Sequence, residues 1–243
     1  MVWSKFLILM NATYRIYFCL LLGLGFAYAA RPMITDDARV VDKNSCQLET
    51  WGVYDGDIGE YWAIPGCNMI FDTEISLGGM MSNAYNVPNG SSALRGEQFI
   101  MGAKKIFSDL ESKGFSYGIA LGNAYNFRRS LHRYDYYAYI PASVALRDNT
   151  LLLHANLGYK LQYELNKRQI YNVGLGIEQQ LTRYLWILGE GFYERFDRAK
   201  YQVGLRIWLL QDSIQLDATY GNAFAGKQSF VSMGLRFLSP ALF

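Results

Sequence analysis

The sequence predicts an all-β chain: an antiparallel transmembrane β-barrel of about twelve strands behind a cleaved signal peptide. Three observations carry that prediction. Apolar and polar residues alternate with period two over most of the 243 residues, which is the pattern of strands whose two faces meet different surroundings. The connections between these segments alternate short and long, as the turns and outer loops of a barrel do. The N-terminus is built like an export signal. Alternation alone would also fit a soluble sandwich with its apolar face on a core, so the connections and the leader decide.

Composition agrees. The chain is 51% hydrophobic, yet its mean hydropathy is near zero, so apolar residues are interleaved with polar ones rather than blocked. Aromatics reach 16%, with 19 Tyr, which suits girdles at membrane interfaces. Twenty-three Gly against five Pro fit strands and tight turns. A net charge of +2 implies no nucleic-acid partner.

At the start, Arg15 precedes the apolar run IYFCLLLGLGF (16–26), and AYA (27–29) supplies small residues for signal peptidase. The signal peptide is read as residues 1–29, with either Met1 or Met10 as the initiator. The apolar run is too short to span a bilayer comfortably, and Tyr17 and Phe18 are too bulky beside Cys19 for a lipoprotein site. Residues 30–45 follow as a polar, turn-like periplasmic lead-in. Whether they hang in the periplasm or enter the lumen is open at this point.

From Cys46 to Phe237 the barrel strands run in order: 46–54, 61–67, 69–81, 97–107, 115–127, 134–146, 151–163, 169–181, 184–194, 201–210, 213–222 and 229–237. No helix is expected. In 151–163, Leu151, Leu153, Ala155, Leu157 and Tyr159 share one face, while His154, Asn156, Gly158 and Lys160 share the other. The segments 169–181, 201–210 and 213–222 repeat this scheme. Tyr or Phe closes several apolar faces, where an aromatic belt should lie. Trp62, Trp186 and Trp208 are expected near the interfaces or in the lumen. The closing strand carries Val231, Met233, Leu235 and Phe237 on one face, the expected signal for the barrel-assembly machinery. Residues 238–243 form a tail in which Pro240 cannot donate to a ladder.

RDNT (147–150), LTR (181–183) and the residues around Gln211 and Asp212 are tight turns. The alternate connections, 128–133, 164–169, 194–200 and 223–228, are longer and more polar, and 82–96 is the longest. SDLESKG (108–114) fits this parity least well. If the first two strands turn at Gly56 and Asp57, Cys46 faces Cys67 across the pair. Opposed strand residues are close enough to bridge, so a disulfide is expected in an oxidising compartment.

These blocks also support a resemblance. RPMITDDARVVD, CQLETW, EYWAIPGCN, YIPASVALRDN, LDATYG and GLRFLSPALF resemble a group of uncharacterised bacterial exported proteins, related to outer-membrane barrels assigned to the phenol-degradation meta-pathway. The likeness covers most of the mature chain, and RPMITDD and the two cysteine blocks are its most specific parts. It implies a barrel in a Gram-negative outer membrane and attaches no activity to particular residues.

Candidate site residues follow from the inward parity. His154, Asn156, Lys160, Glu178, Glu190, Arg206, Asp217 and Arg236 should face the lumen. Unpaired charges there would be costly, so an interlocked acid–base ladder is expected, with the functional alternative of a polar lining that orients a passing solute. The small face of Ser116, Gly118, Ala120 and Gly122 suggests room for a narrow passage, or a bed for an inserted N-terminal segment. Arg128, Arg129, Arg133, Lys167, Arg168, Arg195, Arg198 and Lys200 make a basic outer rim suited to lipopolysaccharide phosphates or to drawing in anions. Ser130, His132 and Asp135 are weak candidates for a nucleophile, base and orienter. His154 has no serine nearby in sequence. Asp36 and Asp37, with Asp42, fall short of a calcium site, which needs six or more oxygens, and read as caps or turn residues. No metal or other cofactor is expected. The preferred function is a narrow channel or transporter for small solutes, aromatic or hydrophobic if the resemblance holds. The alternatives are a non-transporting structural or lipid-binding barrel and an outer-leaflet lipid-modifying enzyme.

Overall fold

Side-chain alternation this regular leaves each ribbon with one apolar and one polar face, and closing the sheet on itself leaves no unpaired edge. The computed structural model, which describes residues 33–70, 72–84, 96–129, 133–162, 168–226 and 228–242, is a closed antiparallel barrel of twelve strands. They are β1 (Cys46–Tyr54), β2 (Ile58–Ile70), β3 (Thr73–Ala84), β4 (Gly96–Ile106), β5 (Phe115–Asn126) and β6 (Tyr134–Leu146). The second half comprises β7 (Leu151–Gln162), β8 (Arg168–Gln180), β9 (Leu185–Glu194), β10 (Lys200–Leu210), β11 (Ile214–Ala223) and β12 (Phe230–Leu238). Each strand pairs with its sequence neighbours, and β12 closes onto β1 with Phe237 opposite Leu48 and Leu235 opposite Thr50.

The wall is polar inside and apolar outside. Leu175 is 64% exposed on the outer face, whereas Asp217, on the inner face, is 0% exposed. The buried set contains Gln202, Gln215, Ser116, Ser143 and Glu178, an inventory no soluble sandwich core would hold. Outward aromatics gather at both ends of the strands. Tyr159 lies 5.4 Å from Tyr171, and Tyr125 lies 5.1 Å from Tyr134, at one end. Phe107, Tyr117 and Phe115 cluster at the other. Trp62 points inward and stacks on Trp51 at 5.2 Å.

The short connections lie at the end that carries both termini of the barrel. Their left-handed positions go to Asp72 (φ 51°), Asp148 (φ 54°), Asn149 (φ 65°) and Asp212 (φ 55°), residue types that tolerate that region, and to Arg147 (φ 52°). Two expectations need correction here. The turn expected at Asn68 lies instead around Asp72, because β2 runs on to Ile70. A helix also occurs where none was expected: α1 (Leu110–Lys113) fills the connection between β4 and β5. Asp109 caps it by accepting from Glu111 N, Gly114 closes it at φ 72°, and Leu110 is buried beneath it. That turn of helix explains why SDLESKG is longer than its counterparts.

Cys46 and Cys67 are register partners and form a disulfide with Cα atoms 4.0 Å apart. The signal peptide, residues 30–32, Ser130, His132 and Lys167 lie outside the described residues. The described part of the lead-in, residues 33–45, runs inside the barrel rather than below it, as side chains of six strands that hydrogen-bond its main chain show.

Candidate functional site

Residues 33–45 form a strap across the lumen, held by inward side chains of successive strands. On β9, Glu190 Oε1 accepts the Ile34 N–H at 2.7 Å and Oε2 the Thr35 N–H at 2.7 Å. On β7, Asn156 Oδ1 accepts the Asp36 N–H at 2.6 Å, and its Nδ2 donates to Asp36 O at 2.7 Å. On β6 and β5, Ser143 Oγ accepts the Ala38 N–H at 2.8 Å, and Ser116 Oγ donates to Ala38 O at 2.7 Å. On β3 and β2, Glu74 Oε2 accepts the Val41 N–H at 3.1 Å, and Asn68 Nδ2 donates to Val41 O at 2.8 Å. A buried main chain needs such partners, and here the wall supplies them.

Strap side chains add charge contacts. Asp36 meets Lys104 Nζ at 3.0 Å and accepts from the Tyr139 hydroxyl at 2.5 Å. Asp37 pairs with Arg39 at 2.6 Å and accepts the Arg39 N–H at 3.0 Å, so it does shape a local turn. Asp36 instead belongs to a lumen ion pair. The room expected over Gly122 is taken. The Tyr137 hydroxyl lies 2.5 Å from where a Gly122 Cβ would stand, and Tyr137 and Tyr139 stack at 6.3 Å.

Of the expected ladder, the structure brings three members together. Arg206 sits between Asp217, at 2.8 Å, and Glu178, at 2.6 Å, while Gln215 Nε2 also donates to Asp217. Arg236 stands apart from that cluster: its Nε donates to Gln47 Oε1 at 2.7 Å and lies 3.7 Å from Glu49. Glu190 serves the strap and is steadied by Gln202, which is held in turn by Thr219 at 2.8 Å. Lys160 pairs with Glu194.

His154 does have a serine beside it, because strand register places Ser143 opposite it. Ser143 Oγ lies 2.8 Å from His154 Nδ1. Ser143 Oγ also accepts the Ala38 N–H, and His154 Nε2 lies 3.6 Å from Glu178 Oε1. Ser143 is 1% exposed and His154 3%, so this Ser–His–Glu set supports the strap and offers no open face to a substrate.

At the rim, the described cations are engaged locally. Arg128 pairs with Glu97 at 2.9 Å, Arg129 with Asp135 at 2.7 Å and Lys200 with Asp197 at 2.7 Å. Arg133 donates to the Tyr125 hydroxyl at 2.7 Å, and Arg198 Nη1 to Ala225 O at 3.2 Å. Arg195 lies over the Phe196 ring at 4.7 Å, and Arg168 opens β8. Asp135 is an inward, buried residue committed to Arg129, and its expected partners Ser130 and His132 are outside the described residues. Val231, Met233 and Phe237 are exposed on the outer face of β12, with Leu235 between them.

Inward parity could have found Ser143, Glu74, Asn68 and Lys104, which occupy the same faces as the expected lumen residues, as Ser116 does. Nothing in the sequence says which of them meets the strap.

Three cavities follow the strap. The outer one, about 190 Å³, is bounded by Ile34, Asp36, Tyr137, Asn172, Phe192 and the Lys160–Glu194 pair. The central one, about 40 Å³, lies among Asp37, Arg39, Glu178, Arg206 and Arg236. The inner one, about 500 Å³, opens between strap residues 38–43 and α1. Thr35 and Asp36 border the outer and central cavities, and Arg39 borders the central and inner ones.

Comparison with known proteins gives a family and a fold. A family model described as "Uncharacterised conserved protein UCP029691" matches residues 19–237. No curated protein matches the chain. Among solved structures, a KdgM porin in complex with disordered oligogalacturonate is similar at TM-score 0.58 and 13% identity, over 79% of this chain and 98% of that one. A NanC porin is similar at TM-score 0.57 and 7% identity, with the same coverage. A further KdgM porin structure gives 0.55 and 12%, again over 79% and 98%. At these identities the likeness establishes the porin-type barrel fold.

Proposed function

The chain belongs to the family of uncharacterised conserved proteins matched over residues 19–237, and we propose that it is a Gram-negative outer-membrane channel for small solutes, constricted by its own strap. One observation carries the reading: the outer and inner cavities each border the central charged one along the strap, the outer through Thr35 and Asp36 and the inner through Arg39. The central cavity, at about 40 Å³, has space for no more than a few waters. Passage as the strap lies is therefore narrow. Porin-type neighbours support the transport class, since that is what their names state.

The solute class is read from the outer cavity. Tyr137, Tyr139 and Phe192 give it aromatic walls, and its charges are paired: Lys160 with Glu194, Asp36 with Lys104. That favours a small, uncharged, ring-bearing solute, in keeping with the resemblance to phenol-degradation barrels. The rim arginines and lysines are proposed to exchange their exposed partners for lipopolysaccharide phosphates, because exposed pairs are worth only about 0–1 kcal/mol. Insertion is proposed to use the barrel-assembly machinery through Val231, Met233, Leu235 and Phe237.

The second reading is a non-transporting barrel, which the bonded strap favours. Purified protein in planar bilayers separates the two. The channel reading expects small current steps, together with swelling of liposomes in small aromatic or neutral solutes. Protein that passes neither ions nor such solutes removes the channel and leaves the closed barrel.

A further inference from the structure

The lumen wall handles residues 34–41 as it would a foreign peptide. Its contacts are chiefly to main chain. Asn156 pairs both the N–H and the C=O of Asp36, as a neighbouring strand would, and Glu190 takes two consecutive N–H groups on its two oxygens. The Thr35 hydroxyl, by contrast, is buried without a hydrogen-bond partner among the described residues. Ser143 and Ser116 divide the N–H and C=O of Ala38, and Glu74 and Asn68 those of Val41. Every second or third peptide unit is thus recognised through groups common to all residues, which is how extended peptides are bound.

The wall is shaped for this occupant. A Cβ at Gly174 would lie 2.4 Å from Thr35 Oγ1, and one at Gly176 would lie 2.6 Å from Met33 Cε, so two bare positions on β8 make the bed. Glu190 is pre-aimed by Gln202 and Thr219. Backbone pairing of the strap with the sheet begins at its Ser45 end, where Asn44 N donates to Asn68 O and Asn68 N to Ser45 O. Residues 34–41 are held by side chains alone among the described contacts.

We propose that the inner wall from β2 to β9 is a recognition track for an extended peptide backbone, and that residues 34–41 are its tethered, exchangeable occupant. Release of the strap opens the lumen, and a free peptide of matching length takes its place. The consequence for flux rests on the channel reading above; binding to the track does not.

The test keeps the full chain and changes only the strap. Thr35→Pro with Ala38→Pro removes two strap N–H donors and leaves every wall group intact. Barrel assembly is verified by heat-modifiable gel migration, and Thr35→Pro alone serves if the double variant fails to assemble. A fluorescent peptide with the sequence of residues 34–41, ITDDARVV, is titrated against detergent-solubilised protein. The expected result is binding at least tenfold tighter to the proline variant than to the wild-type barrel, weakened at least tenfold by adding Glu190→Ala, and absent for a peptide carrying the same two prolines. Binding to neither barrel, equal binding to both, or indifference to Glu190→Ala overturns the track. In planar bilayers the same peptide should close the proline variant. Peptide binding with no current from any variant upholds the track and removes the channel instead.

Discussion

Arg206 holds Asp217 with two nitrogens, Nε and Nη2, at 3.0 and 2.8 Å, across a directly opposed pair of β10 and β11. Its third nitrogen, Nη1, reaches Glu178 Oε2 at 2.6 Å. One guanidinium therefore bridges two carboxylates that are 0% and 3% exposed, and Glu178 in turn stands 3.8 Å from Arg39 and beside His154.

Replacing Arg206 with Ala should cost about 3–5 kcal/mol, the range for stranding buried charges. Urea unfolding in detergent micelles measures it. Asp217→Asn and Glu178→Gln added to Arg206→Met should recover most of the loss, because the partners then carry no charge. A loss below about 1 kcal/mol, the value of a surface pair, would show that water reaches the cluster.

Glu190→Gln should loosen the strap while keeping side-chain size. An amide offers one acceptor oxygen in place of two, so either Ile34 or Thr35 loses its partner. Larger or more frequent current steps are expected, along with faster cleavage of the strap by added protease. Unchanged current and unchanged cleavage would mean that the remaining ties suffice.

Serine at both Cys46 and Cys67 should lower stability by about 3 kcal/mol, as expected for opening a loop of some twenty residues. Conductance should stay the same, since the bridge is next to the Asn68 tie but leaves the ties on β5, β6, β7 and β9 untouched. Thermal melting and bilayer recordings of one preparation check both halves.

Deleting residues 238–243 should leave assembly working if the signal is Val231 to Phe237. The tail does contribute locally: Ser239 N donates to Cys46 O and Leu242 N to Asn44 O, each at 2.8 Å. Some loss of heat stability is therefore expected alongside normal insertion. Lost insertion would shift the signal to Phe243.

His132→Ala should leave lipid A and phospholipid turnover unaltered. The carboxylate that an enzyme would need at Asp135 is bound by Arg129 at 2.7 Å and faces inward. A drop in turnover would revive the outer-leaflet enzyme.

The sequence made much of this legible because a two-residue period reports directly which way a side chain points. His154, Asn156, Glu178, Glu190, Arg206 and Asp217 are expected inward on that ground; all face the lumen, five of them buried and Arg206 half-buried between Glu178 and Asp217. The same rule applied to 108–114 missed α1, since a single capped turn has no period to show. It also put the β2–β3 turn at Asn68, where a polar inward residue imitates a turn residue.

The sequence by itself determined a twelve-ribbon wall with an apolar exterior, its alternating turns and loops, and the cysteine pair, because each is a local property of neighbouring residues. Tertiary structure alone decided what fills the interior. Asp36 finds Asn156 across 120 positions, and Ile34 finds Glu190 across 156, contacts set by the stagger at which the sheet closes. Alternation states which groups face inward but not their height along the barrel axis. That height is what lets six strands converge on one length of chain.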